Sequence, residues 1–380
     1  MRSIFSFQGA ALVLLASLLY NWWQSPSHSS RYLPWHDTTK WERFFVVYDR
    51  MASLHFDQHC DAELIDTDFG KTHIFQCGDT ADEDAPTVVF LHGAGMNSMQ
   101  FADWIVPNVL RTNTRCIVLD LPCDVGKSIP PEGDPQRCAS TKEQMVQWME
   151  QVIHGTVGKN KKVSLVGYSY GVFVALATAA GRPELVDKMV WIAPSGIIAS
   201  VELRTFFQAI MYSLIKTAWM QNIFFQYMAA DPDFDMATSV SPNLREMTES
   251  IREVDATLLS VYDPDLLSEE ALASLASKHP TFLVVGEQET FLNATMAVDA
   301  AQRAGMKAKL YRNAGQLMYL ETTPARDEAA QDITAFLTGG EIQTVGNEGD
   351  EEHRKKTKQQ QEQPPELDVV FEDDEEFQDL

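Results

Sequence analysis

Residues 163–182, Val-Ser-Leu-Val-Gly-Tyr-Ser-Tyr-Gly-Val-Phe-Val-Ala-Leu-Ala-Thr-Ala-Ala-Gly-Arg, constrain the fold more than any other stretch of the chain. The apolar run Val163–Val166 predicts a buried strand. Gly167-Tyr168-Ser169-Tyr170-Gly171 predicts a tight turn, and the alanine-rich segment behind it a helix. A G-x-S-x-G pentapeptide alone arises by chance. Between a strand and a helix it makes an elbow that lifts a serine hydroxyl at the C-terminal edge of a sheet. The serine backbone is strained there, and the two glycines remove side chains that would collide with the packed strand and helix.

A second motif lies upstream. Thr87-Val-Val-Phe-Leu91 predicts a buried strand, followed at once by His92-Gly93-Ala94-Gly95. With both motifs in place, the stretch from about Thr87 to Leu337 resembles an α/β-hydrolase of the esterase and lipase kind. The resemblance implies an α/β fold, a mostly parallel central sheet flanked by helices with a helical cap inserted. It makes Ser169 the nucleophile and the backbone amides of Ala94 and Tyr170 the oxyanion donors, with His92, Gly93 and Gly95 completing the oxyanion loop. The acid falls three residues after Gly286, at Glu289, a glutamate where the family more often has aspartate. His92 invites a role as base, but the expectation is structural, holding its loop by hydrogen bonds. Neither a cofactor nor a metal is implied.

The pattern breaks at the base. In such enzymes a histidine follows the last strand, in a segment resembling Asn-Ala-Gly-His. Here the residues are Asn313-Ala314-Gly315-Gln316. His279 belongs to the entry end of a strand, and His353 to a charged tail. A serine hydroxyl is a poor nucleophile unless a group titrating near the working pH takes its proton. An amide cannot. In a serine protease dissected residue by residue, removing the histidine costs on the order of a million-fold, about 8 kcal/mol of transition-state stabilisation. Maspardin-like and N-myc-downstream-regulated-like branches are similar in keeping the fold without a full triad.

Three readings follow. In the first, the chain keeps the serine site, hydrolyses weakly or not at all, and binds a hydrophobic small molecule, an acyl ester or a protein. In the second it is a working carboxylesterase or lipase whose base comes from elsewhere: His92, Glu289 or a cap residue. In the third it is a scaffold whose acidic tail recruits a basic protein.

The remaining sequence sets the context. A formal charge of −24 argues against nucleic acid as a partner. From Glu341 to Leu380 there are 14 acidic against 4 basic side chains, so ten of those charges sit in a tail without apolar periodicity. Residues 4–23 carry no charge and, at ~1.5 Å each, could span the ~30 Å of a bilayer core. A cleaved signal peptide and an uncleaved anchor both fit. Tyr20, Trp22 and Trp23 at the end of the run favour the anchor and a membrane-bound protein of the secretory pathway. Residues 1–30 thus read as signal or anchor and 31–63 as a linker with an amphipathic helix. The hydrolase-like core takes 64–196 and 277–338, a helical cap 197–276, and the tail 339–380. Ser98–Leu110 predicts one helix, and Ser140–Val157 another, opened by a capping box of Ser140 and Glu143. Gly126-Lys127-Ser128 lacks the spacing of a phosphate loop. Five cysteines are too few and scattered for a disulfide framework; Cys123 and Cys138 flank one loop and could pair in an oxidising compartment, but the expectation is that they do not. Asn293-Ala294-Thr295 is the single N-glycosylation sequon, which matters only if the body is lumenal.

Overall fold

A computed structural model describes residues 38–342, apart from 80–81, 83, 132–138, 140, 199–204, 206–207, 209–210, 212–214, 216, 255–265 and 322. The apolar segment 4–23, the acidic tail from 343, and Cys138 and Ser140 lie outside them. Among the described residues no helix is long and apolar enough to cross a membrane.

The sheet has eight strands, β1 Cys60–Thr67, β2 Gly70–Cys77, β3 Thr87–Leu91, β4 Arg115–Leu119, β5 Val163–Tyr168, β6 Val186–Ile192, β7 Thr281–Gln288 and β8 Lys307–Gly315. They lie in the order β1-β2-β4-β3-β5-β6-β7-β8. The first hairpin is antiparallel and joins β4 antiparallel; β4 to β8 pair in parallel with β3 and β5 between. Strands β3, β4 and β5 are buried at every position, as their continuous apolar runs require when helices cover both faces. The carboxyl ends of the parallel strands share one edge, where ligands of such sheets bind. The elbow, the His92–Gly95 loop, Glu289 and Gln316 all follow strands that end there.

Helix α1, Thr38–His55, matches the amphipathic stretch 41–51: Phe44, Val47, Tyr48 and Met51 are buried along one face. Tyr48 Oη donates to Asp120 Oδ2 at 2.8 Å and lies 2.7 Å from Ser98 Oγ, which fastens the helix to the ends of β3 and β4.

Three expectations need correction. Ser98–Leu110 is not one helix but a 3-10 turn, Ser98–Phe101, and a short helix, Val106–Leu110 (α2). Pro107 explains the break, since it has no N–H to give to the turn before it and favours the start of a helix. Helix α3, Lys142–Thr156, is capped by Thr141, whose Oγ1 accepts from Gln144 N at 3.2 Å, one residue after the proposed Ser140. The third correction concerns cysteine. Cys60 and Cys77 face each other across the β1–β2 hairpin and form a disulfide. Cys123 is disulfide-bonded as well. Spacing along the chain gave no hint of the first bridge, because only the hairpin register brings its ends together. Cys116 is a free, buried residue of β4.

After helix α4, Tyr170–Gly181, the chain passes through β6 into helices α5 Ala218–Met228, α6 Met236–Ser239 and α7 Pro242–Glu253. Helix α7 packs against α1, with Arg43–Glu253 at 2.8 Å and an Arg50–Glu246 pair across the seam. Helix α8, Glu269–Lys278, returns towards the sheet, its Leu272 joining the main core. Helices α9 Ala294–Arg303 and α10 Pro324–Thr338 close the body.

Candidate active site

Ser169 sits between β5 and α4 at φ 48 and ψ −111, the strained backbone the elbow predicts. A Cβ on Gly171 would lie 1.9 Å from Leu91 O, and one on Gly167 2.5 Å from Val172 N. Both glycines are therefore steric necessities. Ser169 N donates to Ile192 O at 2.8 Å, and its side chain stays partly exposed.

The loop after β3 lies against it, since a Cβ on Gly93 would stand 3.6 Å from Ser169 Cβ. Its amides are divided up. Gly93 N donates to Gln100 Oε1 at 2.7 Å, Gly95 N to Asp124 Oδ2 at 3.0 Å, and Met96 N to Gly93 O at 3.2 Å. Among the described residues the Ala94 amide makes no such bond. It remains available to a ligand oxygen. Tyr170 N is the first amide of α4, directly after Ser169. These are the two donors that the family resemblance implies.

His92 is fully buried and committed. Leu121 N donates to its Nε2 at 2.8 Å, so Nδ1 carries the proton and donates to Gly93 O at 2.8 Å. Taking a proton from serine would break a buried hydrogen bond that holds the oxyanion loop. The geometry agrees with the structural role.

Glu289 and Gln316 come together across the ends of β7 and β8. With its amide nitrogen turned to the carboxylate, the orientation that satisfies both groups, Gln316 Nε2 donates to Glu289 Oε1 at 2.6 Å and Oε2 at 2.8 Å. Glu289 Oε1 also accepts from Thr290 N at 2.9 Å and Phe291 N at 3.0 Å. Part of the residue is exposed, yet burial of the carboxyl pushes its pKa up to about 7, against the lowering effect of those two amides.

Several residues missed in the sequence hold this arrangement. Gln100 and Asp124 take the amides either side of Ala94. Tyr168 Oη donates to the Gln316 carbonyl at 2.6 Å, fixing its backbone. Glu321 is buried and accepts from Ala230 N at 2.7 Å, which ties the end of α5 to the segment after β8. A Cβ on Gly315 would fall 2.5 Å from Met228 O, so α5 ends directly on the Gln316 turn. Phe224 of α5 meets Phe291 edge-on at 6.5 Å. Only Asp124, inside the loop after β4, carried any signal: a carboxylate near a glycine-rich anion loop. Among the described residues no group of His, Cys, Asp and Glu could hold a metal ion. His279 is buried at the entry end of β7, away from the edge that carries Ser169.

Comparison with known proteins agrees with the geometry. The model of the alpha/beta hydrolase family matches residues 88–330. The chain belongs to that family. Its fold is similar to carboxylesterase CesB of Bacillus subtilis, at a TM-score of 0.65 and 25% identity over 80% of this chain and 100% of that one. It is also similar to the naproxen esterase (carboxylesterase NP) of Bacillus subtilis, at a TM-score of 0.64 and 21% identity over 77% of this chain and 96% of that one. A probable 1-acylglycerol-3-phosphate O-acyltransferase of Oryza sativa subsp. japonica is 27% identical over 211 residues, 52% of this chain and 50% of the rice protein. The chain thus spans about half the length of that relative.

Proposed function

We propose that this chain binds a hydrophobic ester, or the acid released from one, at a serine site that hydrolyses weakly or not at all. One observation carries the reading. Gln316 donates to Glu289 at 2.6 and 2.8 Å, standing where the acid of such a site would orient a proton-accepting imidazole. An amide so held presents its carbonyl oxygen on the far side, which accepts a hydrogen bond but cannot take the proton away. Ser169 and the amides of Ala94 and Tyr170 would still receive a carbonyl or carboxylate oxygen. The apolar end of α5, with Phe224 against Phe291, supplies a hydrophobic wall near that oxygen.

The second reading, an active esterase with another base, draws on Glu289 alone, because its carboxyl titrates near 7. Incubation of the full chain with a fluorophosphonate probe separates the two. The proposal expects Ser169 to label orders of magnitude more slowly than an active serine hydrolase run alongside. Rapid labelling that disappears in Ser169→Ala would establish the active enzyme instead.

We further propose that residues 4–23 hold the chain on a membrane with its body on the lumenal side. The apolar run and its terminal aromatics support the anchor. The Cys60–Cys77 bridge and the bonded Cys123 support an oxidising compartment.

A further inference from the structure

Asn293 stands four residues beyond Glu289, as the N-cap of α9. Its Oδ1 accepts from Met296 N at 3.0 Å, and among the described residues its Nδ2 makes no hydrogen bond. Asn293 and Thr295 are both partly exposed, and Met296, one turn along, is 63% exposed, so this helix end opens to solvent. Asn293-Ala294-Thr295 is the single N-x-S/T triplet of the chain, and no proline interrupts it. The part of the amide used by the fold is its oxygen, and the part a glycan needs is its nitrogen. A glycosylated asparagine keeps its carbonyl, so modification would leave the helix cap in place.

We propose that Asn293 carries an N-linked oligosaccharide, set at the rim of the serine site where the Phe291 segment meets α5. The inference rests on the lumenal placement of the body given above. The donor is a lipid-diphosphate-linked oligosaccharide. A bond forms between Asn293 Nδ2 and C1 of the first N-acetylhexosamine, the C1–O bond to the diphosphate breaks, and the lipid diphosphate leaves as one Nδ2 proton is lost to base. No oxidant or reductant is involved. Bulk and hydration at Asn293 would keep this solvent-facing end of α9 off other surfaces.

Translation of the full chain with endoplasmic-reticulum microsomes tests it, with endoglycosidase digestion and protease protection read on the same samples. Expected is one upward mobility shift, removed by the endoglycosidase, absent in Thr295→Ala and retained in Thr295→Ser. Neither threonine variant touches the Asn293 cap, so loss of the shift cannot be laid to misfolding of that helix end. A protease-protected body with no shift would overturn the glycan and leave the lumenal placement standing. A body open to protease would overturn the placement and the glycan with it. A shift that survives in Thr295→Ala would also overturn the assignment to Asn293.

Discussion

Burial of the Glu289 carboxyl outweighs its two backbone N–H bonds, from Thr290 and Phe291, and pushes its pKa up to about 7. A carboxyl raised in the folded state binds its proton more tightly there than in the unfolded chain. Its contribution to stability is therefore full below about pH 4.5 and is lost as pH rises through about 7. At 1.36 kcal/mol per unit, the loss amounts to roughly 3 kcal/mol at most. Glu289→Gln removes the titration while keeping an oxygen for Thr290 and Phe291. Chemical denaturation at pH 5 and pH 8 should show the variant gaining on the parent by 1–3 kcal/mol between the two (an order-of-magnitude range from the same linkage). Parallel pH profiles would mean Glu289 is already ionised in the folded chain at pH 5. Gln316→His makes the complementary change. An imidazole bonded to Glu289 could accept the Ser169 proton, and general-base assistance is worth about 10²–10⁴-fold. Hydrolysis of a short-chain nitrophenyl ester should rise by at least about a hundredfold, and Ser169→Ala should abolish the gain. An unchanged rate would show that Ser169 and position 316 are not aligned for proton transfer.

Helix α1 joins elements that sequence separation keeps far apart. Its buried attachment is the cluster of Tyr48, Ser98, His73 and Asp120, and its exposed attachment is the pair of arginine contacts to α7. Burial alone would raise Asp120, but hydrogen bonding and charge from His73, with N–H bonds from Lys127 and Ser98, outweigh it and hold the carboxyl well below the usual range. Tyr48→Phe takes one donor from that buried carboxylate and should cost about 1–3 kcal/mol. Arg50→Ala, which breaks a half-exposed ion pair, should cost less than about 1 kcal/mol. Urea midpoints of the two variants compare them directly. Equal losses would place the anchoring of α1 in its apolar face alone. The amphipathic face of this helix was legible in Trp41, Phe44, Phe45, Val47, Tyr48 and Met51, of which all but the partly exposed Phe45 are buried, since periodicity is local. Its polar anchor was not, because Tyr48, His73 and Asp120 are brought together only by folding. The Cys60–Cys77 bridge escaped for the same reason.

At the scale of the whole molecule, single strands and the helices behind them were readable because each βα unit announces itself in a short window, whereas the order of the strands in the sheet came only from the structure. The roles given to Ser169, Glu289 and Gln316 came from the family resemblance, which puts each a fixed distance beyond a strand. What holds them against one another was hidden: Gln100, Asp124, Tyr168 and Glu321 act on partners chosen by tertiary contact. Glu321 matters most for how the α5 end meets the body. Burial raises its pKa against the lowering effect of the Ala230, Gly315 and Asp231 amides, and its Oε1 takes Ala230 N. A group in that state serves the fold as a neutral acceptor and costs stability as an anion. Glu321→Gln should preserve the bond to Ala230 and leave the protein as stable as the parent, or more so, at pH 8. Glu321→Ala strands the Ala230 N–H and should cost about 1–3 kcal/mol. Hydrogen exchange locates the loss: faster exchange at 229–231 in the alanine variant, with β3 and β5 protected as before. If exchange rises equally in those strands, Glu321 supports the entire sheet edge, and the α5 end does not open independently of the core.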